Sequence, residues 1–275
     1  MMTNKLGLIA GEGKMPLAIA QKAKEQNYEV FVLGIKGNAR EEDYKDCATR
    51  FKYIRLGQLG AGIEFFKSCG VTRFVMAGRV QHVSVFTNMM PDVRGAKFLA
   101  SLKSMQTKYL LSRLIEEVQK EGLTCDNSAL FLEDFFPQKG VLSKRHPTQQ
   151  EQLTIDYGYH IAKEIARMDI GLTCVVSRQT VIAVEGMEGT DRCILRAGEL
   201  YKTNEDKNAP AAVVKVARPN QDNRYDLPVI GTGTLRTMHK AGFGVLAFEA
   251  EKTLVMELDE VVALANKYQM CLIAI

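Results

Sequence analysis

Short apolar runs alternate with helix-length amphipathic stretches along the first third of the chain. Leu6 to Ala10, Glu29 to Leu33 and Phe74 to Met76 read as strands, and Met15 to Gln26 and about Gly60 to Ser68 as helices. Pro16 suits a first helical turn, where its missing N–H would have no partner in any case. Strand, helix, strand in this order predicts parallel strands joined by crossover helices, a small doubly wound sheet.

Beyond Gly78 strand signals thin out. Leu110, Leu114, Ile115 and Val118 recur at helical spacing and predict a helix over Lys103 to Glu121, ended by Gly122. The stretch Thr124 to Pro147, with Pro137, Gly140 and Pro147 among polar residues, reads as the connection between two lobes. A helix over Gln150 to Arg167 follows, then two β-branched runs, Thr173 to Val176 and Thr180 to Val184, close enough to form a hairpin. Ala212 to Val216, Gly244 to Ala247 and Met270 to Ile275 read as strands, and Gly233 to Ala241 and Leu258 to Tyr268 as helices. The expected architecture is α/β: residues 1–130 form a Rossmann-like parallel-sheet domain. Residues 131–275 form a smaller C-terminal α/β domain with a mixed sheet, and a ligand cleft lies between the two.

At 275 residues the chain is long enough for two cores. Its formal charge of +4, from 36 basic and 32 acidic residues, is too balanced for a dedicated nucleic-acid surface but compatible with an anionic small molecule or a membrane surface. Six cysteines without a C-x-x-C pair point to reduced thiols and a cytoplasmic protein. The apolar run Leu6 to Ala10 is too short for a signal peptide, and no run approaches the ~18 apolar residues of a membrane span.

Four constellations carry candidate chemistry. In GLIAGEGKMP (Gly7 to Pro16) a strand turns through Gly11 and Gly13 into a helix, a place where backbone N–H groups and the positive helix end meet a phosphate. Pro16 replaces the third glycine of the dinucleotide fingerprint, and Leu33-Gly34-Ile35-Lys36 supplies no acidic residue for a ribose, which disfavours nicotinamide cofactors. The same residues also suit a tight turn with no ligand. AGRV (Ala77 to Val80) ends a strand, so Gly78 should face the crevice that Gly11 and Gly13 face, with Arg79 either neutralising a phosphate or simply solvated. In Val83 to Lys103, Phe86, Met89, Met90 and Phe98 interleave with Arg94, Lys97 and Lys103, which suits acyl chains and phosphates, or else a packed helix and loop.

The fourth constellation is a pair of segments in the C-terminal half. VEGMEGTDR (Val184 to Arg192) hands a strand to a helix, so that Gly189 or Thr190 can cap it and Asp191 can point toward the strand end. VKVARPNQDNRYDLPVIG (Val214 to Gly231) places Lys215 on a strand ahead of a polar loop with Arg218, Gln221, Arg224 and Asp226. Splitting a diphosphate needs an oriented water, a cation facing the developing charge and a carboxylate that serves as base or holds a metal. Asp226, Asp191, Glu185 and Lys215 supply those types. The four histidines show no ligand spacing, so Mg2+ or Mn2+ is favoured over zinc, with Asp226 as the metal-holding carboxylate. Asp226 equally suits a turn before Pro228.

Together GLIAGEGKMP, Ala77 to Val80, MPDVRGAK (Met90 to Lys97), DIG (Asp169 to Gly171), VIAVEGMEGTD (Val181 to Asp191) and YDLPVIG (Tyr225 to Gly231) resemble the LpxI-type UDP-2,3-diacylglucosamine pyrophosphatases over nearly the whole chain. The resemblance implies cleavage of UDP-2,3-diacylglucosamine into UMP and 2,3-diacylglucosamine 1-phosphate during lipid A synthesis, with a divalent metal. It further implies peripheral contact with the cytoplasmic face of the inner membrane. It assigns the catalytic carboxylate to Asp226 and carries over Gly11, Gly13, Gly78, Thr190, Asp191 and Lys215 as ligand-contacting positions; the residues themselves suggest that Asp191 and Lys215 assist catalysis and that Arg79, Gly189, Gln221 and Arg224 join the substrate contacts, and a homodimer is left open. One departure stands out: where the family commonly has an acidic turn before the helix that starts near Tyr109, this chain has Met105-Gln106-Thr107-Lys108. That departure keeps a non-catalytic nucleotide-sugar or lipid-binding homologue in view, and the first strand, turn and helix keep a nucleotide-dependent oxidoreductase.

Overall fold

Leu6, Leu8 and Ala10 of the first strand are almost completely buried, and Ile9 packs against a separate apolar cluster, so this strand has core on both faces. It lies in a computed structural model that describes residues 4–80, 89–104, 106–202, 209–219, 222, 224 and 227–275. Residues up to Leu132 form one compact unit, and residues from Glu133 onward form the bulk of a second.

In the first unit β1 (Asn4–Ala10), β2 (Tyr28–Ile35), β3 (Arg50–Ile54), β4 (Arg73–Ala77) and β5 (Thr124–Cys125) form one sheet in the order β3-β2-β1-β4-β5. Every pairing in it is parallel. The helix α1 (Met15–Glu25), with Pro16 in its first turn, packs on β1 and β2. The opposite apolar cluster takes Ile63, Phe65 and Phe66 from α2 (Leu59–Ser68) and Ile115 and Val118 from α4 (Thr107–Gln119). Between these two helices lies α3 (Val93–Ala100), where Asp92 accepts from the Gly95 N–H at 2.7 Å and from the Ala61 N–H at 3.0 Å, fixing the N-terminal turns of α3 and α2 together. The sequence reading lacked β3, so the strand ahead of Ala77 is the fourth rather than the third.

The second unit was expected to be the smaller, yet it carries the larger sheet, six strands against five. Its strands are β6 (Gly140–Val141), β7 (Thr173–Ser177), β8 (Thr180–Val184), β9 (Ala211–Lys215), β11 (Val245–Phe248) and β13 (Cys271–Ala274), in the order β6-β13-β11-β9-β7-β8. β9, β11 and β13 are parallel, whereas β7 runs antiparallel to both β9 and β8. A short parallel pair, β10 (Val229–Ile230) and β12 (Leu254–Val255), stands apart. One face of the sheet packs on α5 (Gln149–Arg167), started by a capping box of Thr148 and Glu151. The other face packs on α6 (Thr190–Lys202), α7 (Thr232–Ala241) and α8 (Leu258–Lys267). The predicted connection Thr124 to Pro147 thus contributes one short strand to each sheet, β5 and β6.

Candidate functional site

The register of the second sheet decides which residues share an edge. Thr173, the first residue of β7, pairs with Lys215, the last of β9, and β8 and β11 end at that same edge with Val184 and Phe248. The residues that follow these strand ends are the ones a parallel strand presents to a crevice. Lys215 is 6% exposed, and its ammonium donates to the Thr190 hydroxyl at 2.7 Å and more weakly to Thr173 Oγ1 at 3.5 Å. The Thr190 hydroxyl donates in turn to Glu185 Oε1 at 2.9 Å, while Glu185 Oε2 accepts from the Leu172 N–H at 3.3 Å. A buried cation is thereby joined to a carboxylate through one hydroxyl, which fixes its direction; such a cation is suited to stabilising phosphoryl charge as it develops.

Three sequence segments converge on this edge. A Cβ added at Gly171 would lie 2.1 Å from the Glu185 carbonyl oxygen, so DIG packs against the start of VEGMEGTD. Asp169 accepts from Arg218 Nε at 2.7 Å, which joins DIG to the segment after β9. The turn 185–189 is closed by Glu188, which accepts from the Gly186 N–H at 3.0 Å and from Arg196 at 2.5 Å; the Arg196 hydrogen bond leads in holding the Glu188 carboxyl below its ordinary value. The Gly189 carbonyl accepts from the Cys193 N–H, which places Gly189 at the cap of α6. Asp191 is exposed in the first turn of α6, where a negative charge favours the helix. The carboxylate bonded to Thr190 is Glu185 rather than Asp191. Arg224 sits partly buried in a turn, and Asp226 and Gln221 lie outside the described residues.

Sequence reasoning missed a neighbouring cluster. Glu249, directly after β11 and 5% exposed, accepts from the Ala217 N–H at 3.0 Å, from Lys163 at 3.0 and 3.2 Å and from Lys252 at 2.7 Å. Burial alone would push its carboxyl up, but Lys252, Lys163 and the Ala217 N–H outweigh it and hold the pKa below the ordinary carboxylate value. A signal existed in Phe248-Glu249, an acidic residue at the end of an apolar run; Lys163, in the last turns of a helix, offered none.

In the first unit the two glycine turns meet at the switch point of the sheet, between β1 and β4. The Gly11 N–H donates to Ala77 O and the Glu12 N–H to Arg79 O, both at 2.8 Å, and the Arg79 N–H donates back to Glu12 O at 2.9 Å. Gly78 holds φ +87, and a Cβ there would lie 2.7 Å from the Gly11 carbonyl carbon. The N–H groups of Gly11 and Glu12, expected to face a phosphate, are therefore engaged by the chain's own carbonyls. Gly13, Gly78 and Arg79 are exposed beside them. Arg94, offered as a phosphate partner in the apolar and basic segment, is paired with Glu117 at 3.1 Å and Glu121 at 2.8 Å, which gives it a structural task instead. Phe86 lies outside the described residues.

Among the described residues no three of His, Cys, Asp and Glu converge as a metal site would require, and no helix is long and apolar enough to cross a membrane.

Residues 5–135 match the LpxI N-terminal domain and residues 138–273 the LpxI C-terminal domain. The chain is 31% identical over 268 residues to the UDP-2,3-diacylglucosamine pyrophosphatase LpxI of Caulobacter vibrioides, covering 95% of this chain and 94% of that protein. Among solved structures, gox2253 aligns at 12% identity and a TM-score of 0.36, over 95% of this chain and 64% of its own. The biotin carboxylase domain of a thermophilic 2-oxoglutarate carboxylase aligns at 11% and 0.27, over 68% of this chain and 36% of its own. Neither structural likeness is close enough to carry an argument. With both of its domains matched in order from end to end, the chain belongs to the LpxI family.

Proposed function

We propose that this protein hydrolyses the diphosphate of UDP-2,3-diacylglucosamine, releasing UMP and 2,3-diacylglucosamine 1-phosphate, as a cytoplasmic enzyme working peripherally at the inner membrane. The observation that carries the reading is the buried Lys215, Thr190 and Glu185 chain, at the edge where three family-like segments of a full-length LpxI-family match converge. In this reading water adds to one phosphorus, the bridging P–O bond breaks, and Asp226 takes the water's proton. Lys215, aimed by Thr190, faces the charge that builds on the phosphoryl oxygens. Gln221, Arg224 and the Gly11, Gly13, Gly78 and Arg79 turns are substrate contacts.

Mg2+ or Mn2+, with Asp226 as a ligand, is part of the proposal on the strength of the resemblance; bound, it would polarise a phosphoryl oxygen. The expected result is UMP released from UDP-2,3-diacylglucosamine by purified protein with added Mg2+, its loss with EDTA and recovery on adding the metal back. Asp226→Ala should keep the fold and substrate binding while losing most turnover; wild-type turnover in that variant removes the assignment. The Met105-Gln106-Thr107-Lys108 segment, lacking the family's acidic turn, favours a second reading as a binding protein. Tight binding of the intact nucleotide lipid without release of UMP would establish it.

A further inference from the structure

The N–H and the carbonyl of Ala217 are both held by side chains, and the backbone just before it is held by the chain. Lys215 O accepts from the Glu249 N–H at 3.0 Å and the Val216 N–H donates to Leu172 O at 2.9 Å. The Ala217 N–H donates to Glu249 Oε2, and Ala217 O accepts from Lys163 at 3.0 Å. Lys163 comes from α5 and Glu249 from the end of β11, and they also bond each other, so one ion pair closes a ring around a single peptide group. The far end of the connection that leaves here is tied to the same stretch of chain: the Leu254 N–H donates to Pro228 O at 2.9 Å, and β10 pairs with β12.

Sheet hydrogen bonding would itself satisfy a backbone at a strand end, and an isolated ion pair on a surface contributes little. Here the carboxylate is buried and spends one oxygen on a backbone donor, a use that packing does not require. We infer that Glu249 and Lys163 are positioning residues, which fix the direction of the backbone at 215–217 and with it Lys215 and the start of the 218–227 connection. Neither touches substrate in this account. The inference rests on the proposed hydrolysis for its kinetic consequence, because that reading gives roles in the reaction to Lys215 and Asp226, which precede and follow Ala217 in the chain.

Glu249→Gln is the central variant. An amide whose oxygen keeps the Ala217 N–H puts its NH2 group in place of Oε1, facing the ammonium groups of Lys252 and Lys163, donor against donor, and the ring is weakened. The expected result is a fall in kcat of about 10- to 100-fold, the scale of sub-ångström to ångström misplacement of reacting groups, with KM within about 3-fold of wild type. Lys163→Met should fall alike and Lys163→Arg should recover most of the loss. Lys252→Met, which removes a charge from Glu249 but no backbone contact, should stay within about 2-fold. Hydrogen exchange supplies a readout independent of turnover: amides of 216–218 should exchange faster in Glu249→Gln while β11 and β13 keep their protection.

Unchanged exchange at 216–218, a loss spread over the whole second sheet, or wild-type kcat despite local opening would each overturn the inference. So would a Lys252→Met loss equal to that of Glu249→Gln, since the effect would then be charge alone. A wild-type protein that releases no UMP overturns the proposed hydrolysis instead, and the exchange pattern then judges the clamp by itself.

Discussion

Thr190 is the hinge of the polar chain in the second unit, accepting from Lys215 and donating to Glu185 through a single hydroxyl. Thr190→Val keeps the shape and removes that hydroxyl, leaving a buried ammonium and a carboxylate each short of a partner. The expected cost is about 1–3 kcal/mol in urea unfolding, with a larger proportional loss in kcat than in 1/KM, whereas Thr190→Ser should stay near wild type. Equal kinetics for the Val and Ser variants would remove Thr190 from the chemistry. This part of the site was legible because a glycine, a hydroxyl and an acidic residue followed a β-branched run, and a lysine ended another. What stayed hidden was which carboxylate would meet the hydroxyl: Glu185 lies five residues before Thr190, across a turn whose closure by Glu188 and Arg196 no local pattern announces. Lys163 and Glu249, 86 positions apart, meet only because α5 crosses the sheet near the end of β11.

At the scale of elements, the meeting of the two glycine turns gives the sharpest expectation. Gly78→Ala would put a methyl group 2.7 Å from the Gly11 backbone, in a left-handed conformation that L-residues resist. A loss of about 2–4 kcal/mol is expected, against a few tenths for an alanine replacing the exposed Lys97; a urea titration of both variants checks it, and equal midpoints would contradict it. Helices and central strands were readable here because their apolar faces are long and periodic. β3 was not: Arg50, Lys52 and Tyr53 are exposed on an edge strand, where charged residues belong and the alternation dissolves. β5, β6, β10 and β12 have two residues each, too few for any period.

Over the whole molecule the titratable groups divide by burial. All six cysteines are buried, and burial pushes the thiols of Cys174 and Cys193 up to about 12 and that of Cys271 to about 11. Ellman's reagent should therefore react slowly with native protein and count six thiols in guanidinium; rapid native reaction would contradict the burial. Glu249 works in the opposite sense: its folded pKa lies below the unfolded value of 4.5, so its stabilisation is present above that pH and is lost as pH falls through the folded value. Acidification below about pH 4.5 should lower the urea midpoint, less steeply in Glu249→Gln; parallel slopes would refute the linkage. The strand order of the second sheet has a consequence for biosynthesis. Because β13, the last strand in this sequence, is flanked by β6 on one side and β11 on the other, the nascent second unit cannot complete its sheet until those closing residues clear the ribosome. The first unit, whose final strand ends at Cys125, is free to fold while translation continues, so a chain cut short before Cys271 should leave a finished first sheet attached to an open and aggregation-prone second one.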